Sequence, residues 1–82
     1  MTADRKEILR QIIDIFIDVL DNDKIVLNDL STAADIEEWN SLTHILLVVA
    51  MEKHFNIRFK SREIQSWNNI ADMIDSIMSK LI

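Results

Sequence analysis

The stretch Trp39-Asn40-Ser41-Leu42-Thr43-His44-Ile45-Leu46-Leu47-Val48-Val49-Ala50-Met51-Glu52-Lys53-His54-Phe55-Asn56-Ile57 decides how the chain folds. Asn40 and Ser41 both carry side chains that accept hydrogen bonds from the free N–H groups of a first helical turn. An unbroken apolar run from Ile45 to Met51 follows and leaves no face of the expected helix fully polar. A helix of this kind is either wrapped by the rest of its domain or keeps one face for a partner. On a helical wheel His44, Leu47, Val48, Met51 and Phe55 share one arc. Leu42, Ile45, Leu46 and Val49 share another, with Lys53 nearby.

Periodicity alone leaves open which arc is buried. We assign the arc of Met51 and Phe55 inward because it carries the larger side chains. The other arc then becomes a partly exposed strip beside Ser41; the alternative buries both arcs under a long loop and a short helix. The helix must stop before Ile57, and a left-handed residue is the usual device. The chain contains no glycine, so this falls to Asn56, the next-best residue for that conformation. A positive φ is expected there.

Upstream, Leu9, Ile12, Ile13, Phe16, Ile17, Val19 and Leu20 recur at spacings of three and four, which predicts a helix from about Asp4 to Leu20. Glu7, Arg10, Gln11, Asp14 and Asp18 fall opposite, and Ile8 and Ile15 lie at the stripe's edge. Thr2 or Asp4 is placed to cap its start. Asp21 to Asn40 reads as a long connection, a feature often tied to function in a small domain. Asp21-Asn22-Asp23 opens like a calcium loop, but Ile25 stands at a ligand position and Val26 where glycine is needed. Ile25, Val26, Leu27 and Leu30 are instead expected to anchor the loop. Asp35, Glu37 and Glu38 place negative charge just ahead of the second helix, where its dipole favours it.

Downstream, Arg58-Phe59-Lys60-Ser61-Arg62 forms a basic cluster, read as a solvated turn or as a contact point. Ser61 is expected to cap a one-turn helix to about Gln65, and Ser66 or Asn68 a last helix. Ile70, Met73, Ile74, Ile77, Met78 and Leu81 keep helical spacing in that helix. Trp67 is expected to pack inward. The whole is an all-α bundle of three main helices with one short helix and a long first loop, in one domain over residues 1–82.

Asn40-Ser41-Leu42 opening a helix, followed by Met51-Glu52-Lys53-His54-Phe55-Asn56-Ile57, resembles the acyl carrier protein family. Members carry Asp-Ser-Leu, an aliphatic run and an acidic stretch ending in Phe-Gly-Ile. The similarity extends from the first helix to Trp67-Asn68-Asn69-Ile70-Ala71-Asp72-Met73-Ile74. It implies that Ser41 bears a 4′-phosphopantetheine arm, installed from coenzyme A by a phosphopantetheinyl transferase. It implies that the arm carries an acyl group as a thioester between acyl-activating or acyl-transferring enzymes. The free N–H groups of the helix start suit the attached phosphate. Asn40, Leu42, Ile45, Leu46 and Val49 are the expected recognition surface. Ile45, Val49 and Ile64 are candidates for lining an acyl pocket between the second helix and the short third one.

Two departures stand out. Asn40 replaces the family's aspartate, and Leu46 and Lys53 lie where fatty-acid carriers often place carboxylates. These point to a specialised carrier in a lipid or secondary-metabolite pathway. An aminoacyl or peptidyl carrier shares the same fold, and an unmodified adaptor using the Leu42, Ile45, Leu46, Val49 strip is a rival of another class.

Net charge is −5, with −6 in residues 1–40 and +1 in residues 41–82. An acidic chain is a poor nucleic-acid binder, because phosphate contact needs a basic patch. With no cysteine there is neither a disulfide framework nor a Cys-based metal site. His44 and His54 diverge on the helix and make no metal pair. No catalytic triad rises above chance, so no enzyme is expected. No apolar run reaches membrane-spanning length, and no signal peptide is evident; a cytoplasmic monomer is the expectation.

Overall fold

The computed structural model describes residues 4–81, all of whose regular structure is helical. Four α-helices follow in order: α1 (Arg5–Leu20), α2 (Ser41–Phe55), α3 (Ser61–Ser66) and α4 (Ile70–Leu81). α1 packs against α2 and α4, and the short α3 lies on α4. This is the all-α architecture expected, with three main helices, one short helix and a long first connection.

Asp4 caps α1 by accepting from Lys6 N at 2.9 Å, while Thr2 lies outside the described residues. The buried face of α1 is Ile8, Ile12, Ile15, Phe16 and Leu20. The expected stripe is therefore rotated: Ile8 and Ile15, assigned to its edge, are inside, and Leu9, Ile13, Ile17 and Val19 are half-buried. The physical reason is that α1 is apolar over so wide an arc that the position of α2 and α4, not the spacing, chooses its centre. The helix ends on Asp21 at φ 52°, whose N–H reaches Ile17 O. This left-handed stop was not anticipated; aspartate's short polar side chain tolerates the conformation better than most.

The connection folds down on alternate residues. Ile25 and Leu27 are buried as expected, but Val26 and Leu30 are exposed and anchor nothing. Val26, between Ile25 and Leu27, faces solvent. Leu30 sits on the outside of a tight turn in which Asn28 Oδ1 accepts from Leu30 N at 2.9 Å and Ser31 N donates to Asn28 O at 3.0 Å. Ser31 is buried and its carbonyl accepts from Ile70 N at 3.0 Å, which pins the loop to the start of α4. A short 3-10 turn, Ala33–Asp35, then interrupts what the sequence suggested was irregular.

α2 buries Leu47, Val48 and Met51, with His44 and Phe55 half-buried on the same side. The other arc is exposed, from 72% at Leu42 to 44% at Val49. The assignment by side-chain size is thus correct. Asn56 closes the helix at φ 56° and ψ 50°, the left-handed conformation expected. α3 is not capped by Ser61, which is its first helical residue; Lys60 occupies the N-cap position, and its N–H donates to the Glu63 carboxylate at 3.2 Å. Neither Ser66 nor Asn68 caps α4. Asn69 does so, accepting on Oδ1 from Asp72 N at 3.1 Å, while the Asp72 carboxylate accepts from Asn68 N at 2.9 Å. Ile70, Met73, Ile74 and Ile77 enter the core; Met78 lies half-buried and Leu81 is exposed.

Candidate functional site

Ser41 is the first residue of α2 and is exposed. Asn40 before it has extended backbone, and its Oδ1 accepts from Leu42 N at 3.0 Å and Thr43 N at 3.1 Å. Thr43 reciprocates: its hydroxyl accepts from Asn40 N at 2.8 Å and donates to Glu38 O at 2.7 Å. The turn holding Ser41 is thereby fixed from both sides by neutral groups. Asn40 keeps the capping geometry an aspartate would supply and leaves the position without charge.

This changes one expectation. The N–H groups of Leu42 and Thr43 are already taken by Asn40, so they are not open to a phosphate. What remains at Ser41 is the positive end of the helix dipole, with no acidic residue in the first turn of α2 to compensate it. Of the three carboxylates just ahead of α2, two are engaged elsewhere. Asp35 accepts from Thr32 N at 2.9 Å, and Glu38 from Asn22 Nδ2 at 2.9 Å.

Beside Ser41 opens a cavity of about 280 Å³ lined by Ala33, Trp39, Asn40, Ser41, His44, Trp67, Asn68 and Asn69. Its aromatic residues are held in place. Trp39 is buried, meets Phe16 edge-on at 5.0 Å and donates its indole N–H to His44 Nδ1 at 3.0 Å. Trp67 is half-buried, as it lines the cavity on one side, and donates to Ser76 Oγ at 2.8 Å. Burial holds the His44 imidazolium below its ordinary range, and the neutral ring accepts on Nδ1 and carries its proton on Nε2.

Asn40, Ser41 and Leu42 come together at the start of α2, and Ile45, Leu46 and Val49 continue from them as an exposed strip. Ile45, Val49 and Ile64 do not line the cavity at Ser41. Ile64 is half-buried, Ile45 is on the strip, and Val49 borders a second, open groove of about 460 Å³ with Glu52, Lys53, Asn56, Ile57 and Arg58. Sequence reasoning missed Trp39 and His44 as partners and the Asn68–Asn69 rim. The one signal available was an aromatic residue directly before the capping pair. Arg58, Lys60 and Arg62 are exposed, and with Lys53 they form no ion pair among the described residues.

An exposed serine on a rigid helix start, at the positive end of a dipole and beside an apolar recess, fits a phosphodiester-linked arm. Residues 10–77 match the family described as phosphopantetheine attachment site. The chain is also similar to the holo acyl carrier protein of Geobacter metallireducens, known from its solution NMR structure. The two are 40% identical and superpose with a TM-score of 0.84, over 89% of this chain and 84% of that one. Comparison with curated proteins gives no match. A family match over most of the chain, joined to this structural likeness, shows that the protein belongs to the acyl carrier protein family, non-catalytic carriers with a covalently attached 4′-phosphopantetheine.

Proposed function

We propose that Ser41 is the attachment site and that the protein presents an acyl thioester to acyl-handling enzymes of a specialised lipid or secondary-metabolite pathway. The observation that carries this reading is the placement of the Ser41 hydroxyl: exposed, at the first position of α2, with Asn40 satisfying the neighbouring N–H groups. The arm supplies a terminal thiol on which the acyl group is held. In a reaction that belongs to a separate transferase, Ser41 gives up its hydroxyl proton and its oxygen attacks the pantetheine-bearing phosphorus of coenzyme A; the new phosphodiester bond forms as the pyrophosphate bond breaks and adenosine 3′,5′-bisphosphate leaves. The chain contributes position: α2 is anchored by Leu47, Val48 and Met51, so the serine stands still relative to the strip that a partner reads.

Leu42, Ile45, Leu46 and Val49 form that strip, an apolar patch running along α2 from Ser41. Its far end meets Lys53 and Arg58. Both carboxylates of residues 41–66 are engaged within the chain. Glu52 accepts from Phe59 N at 2.9 Å, and Glu63 pairs with Lys80 at 2.9 Å. The recognition face is therefore apolar and cationic, which favours partners with acidic docking surfaces and supports a specialised pathway.

The test is incubation with coenzyme A and a broad-specificity phosphopantetheinyl transferase, followed by intact mass beside Ser41→Ala. A single phosphopantetheine adduct on the wild type, absent from the variant, is the expected result. An unmodified wild type, with Asn40→Asp equally unmodified and the transferase active on a control carrier, would overturn the reading in favour of an adaptor.

A further inference from the structure

The turn that carries Ser41 has few donors left for an anion. Asn40 Oδ1 takes the N–H groups of Leu42 and Thr43, His44 N donates to Asn40 O at 2.8 Å, and the Thr43 hydroxyl donates to Glu38 O at 2.7 Å. A phosphodiester on the Ser41 oxygen carries a full negative charge, and N–H donors aimed at its oxygens are what hold such a group in one place. Apart from the N–H of Ser41 itself, those donors must come from side chains nearby.

Two such side chains line the cavity that Ser41 borders. His44 follows Ser41 by three residues in α2, so the two are neighbours on the helix surface. Helical side chains lean toward the N-terminus, which carries the His44 ring back toward the turn of Ser41. The ring is held between the indoles of Trp39 and Trp67, with centroids 6.0 Å away in each case. Trp39 donates to Nδ1, so the ring proton is on Nε2. Nε2 has no partner among the described residues, where no buried side-chain nitrogen or oxygen is left unpaired, so it is open to solvent. Asn68 is exposed, and its side-chain amide makes no hydrogen bond among the described residues; only its backbone N–H is held, by Asp72 at 2.9 Å.

The surroundings suit an anion. His44 is the one ionisable side chain lining the cavity among the described residues. The carboxylates on the elements that meet there are Asp35, Glu37 and Glu38 of the connection and Asp72 of α4. Asp35, Glu38 and Asp72 already accept from Thr32 N, Asn22 Nδ2 and Asn68 N.

We propose that His44 and Asn68 are positioning residues for the arm, the Nε2–H of His44 and the side-chain amide of Asn68 donating to the phosphate oxygens of the group attached at Ser41. The inference rests on the carrier reading of Ser41 and adds what fixes the root of the arm. His44 serves as a neutral donor, because Trp39 occupies Nδ1. A negative charge at Nε2 favours the imidazolium, so attachment should raise the pKa of His44 relative to the unmodified chain.

The test compares unmodified and modified protein, once intact mass has established complete modification. It follows the NMR signals of the His44 ring and the Asn68 side-chain amide, together with the phosphorus signal of the arm. On modification the Nε2–H should exchange with water several-fold more slowly, the ring should titrate at higher pH and the Asn68 amide should shift. Backbone signals of Leu46 and Val49, on the other arc of α2, should stay in place. Asn68→Asp, at an exposed position that leaves the fold intact, should move the phosphorus signal by replacing a donor with a like charge. His44→Phe should move it too, and His44→Gln, whose amide donates, should bring it part of the way back. A chain that takes no adduct defeats the carrier reading and this inference with it. A fully modified chain whose His44 ring exchanges and titrates as before overturns the positioning role alone. So does a phosphorus signal indifferent to all three substitutions.

Discussion

The indole N–H of Trp39 donates to Nδ1 of His44 across 3.0 Å, tying the last buried residue of the long connection to the first turn of α2. Both partners line the cavity beside Ser41. The bond fixes the tautomer of His44, while burial holds the pKa of the ring below its ordinary value.

Stability should consequently depend on pH through His44. Its folded pKa lies below the ordinary value of about 6.5, so the unfolded chain binds the proton first on acidification. The contribution is complete above the unfolded pKa and is lost as pH falls from there toward the folded value. Urea unfolding midpoints of wild type and His44→Gln, compared between neutral and mildly acidic pH, should converge as pH falls. Parallel curves would show that His44 is not the group responsible.

Removing the donor isolates the bond itself. Trp39→Phe keeps most of the ring against Phe16 but leaves Nδ1 without its partner. A loss of about 1–3 kcal/mol is expected, with the His44 pKa moving upward in an NMR titration. An unchanged titration would mean that the hydrogen bond contributes nothing to holding the ring neutral.

Neighbouring leucines on α2 should behave oppositely. Leu47 is fully buried and Leu46 is half-exposed on the strip. Leu47→Ala should cost about 2–5 kcal/mol by cavity formation, measured by denaturant unfolding. Leu46→Ala should stay within about 0.5 kcal/mol of wild type yet reduce the efficiency of transferase modification. Equal destabilisation by both would refute the orientation of the helix.

At Asn56 the backbone is left-handed, with φ 56°. Asn56→Ala should lose about 1 kcal/mol, because a Cβ without a compensating polar group is disfavoured there. Asn56→Gly should retain or slightly raise stability. Alanine matching glycine in thermal unfolding would contradict the stop.

Charge at the far end of the strip gives a partner-level prediction. Reversing Lys53 and Arg58 to glutamate should improve, by about tenfold at low salt, the encounter with a carrier-dependent enzyme whose docking face is basic. Salt should erase the difference. A rate that ignores both substitution and salt would remove the electrostatic argument for a specialised partner.

Three helices were legible in the spacing of apolar residues, and so were the left-handed stop at Asn56 and a cap at Asn40 or Ser41, a role that Asn40 takes. These are local properties. Helical periodicity, the absence of glycine and the chemistry of an asparagine side chain act within a few residues, and any neighbour must accept them. That Ser41 is exposed is not local in this way: Ile70, also the first residue of a helix capped by its predecessor, is fully buried, so the packing of α2 decides it.

What packing decided was less accessible. Both arcs of α2 are apolar, and α1 is apolar over more than half its girth. Which residues lie inside depended on where the other helices come to rest, as Ile8 and Ile15 show. Val26 and Leu30 are as hydrophobic as Ile25 and Leu27, yet only the latter two are covered, because the turn at Asn28–Ser31 and its tie to Ile70 set the loop's facing. The sequence by itself determined the helices, both ends of α2 and the place of Ser41 at its start. The cavity of Trp39, His44 and Trp67 was decided only by the tertiary structure, since its walls come from a loop, α2 and the approach to α4, and packing alone brings them into contact.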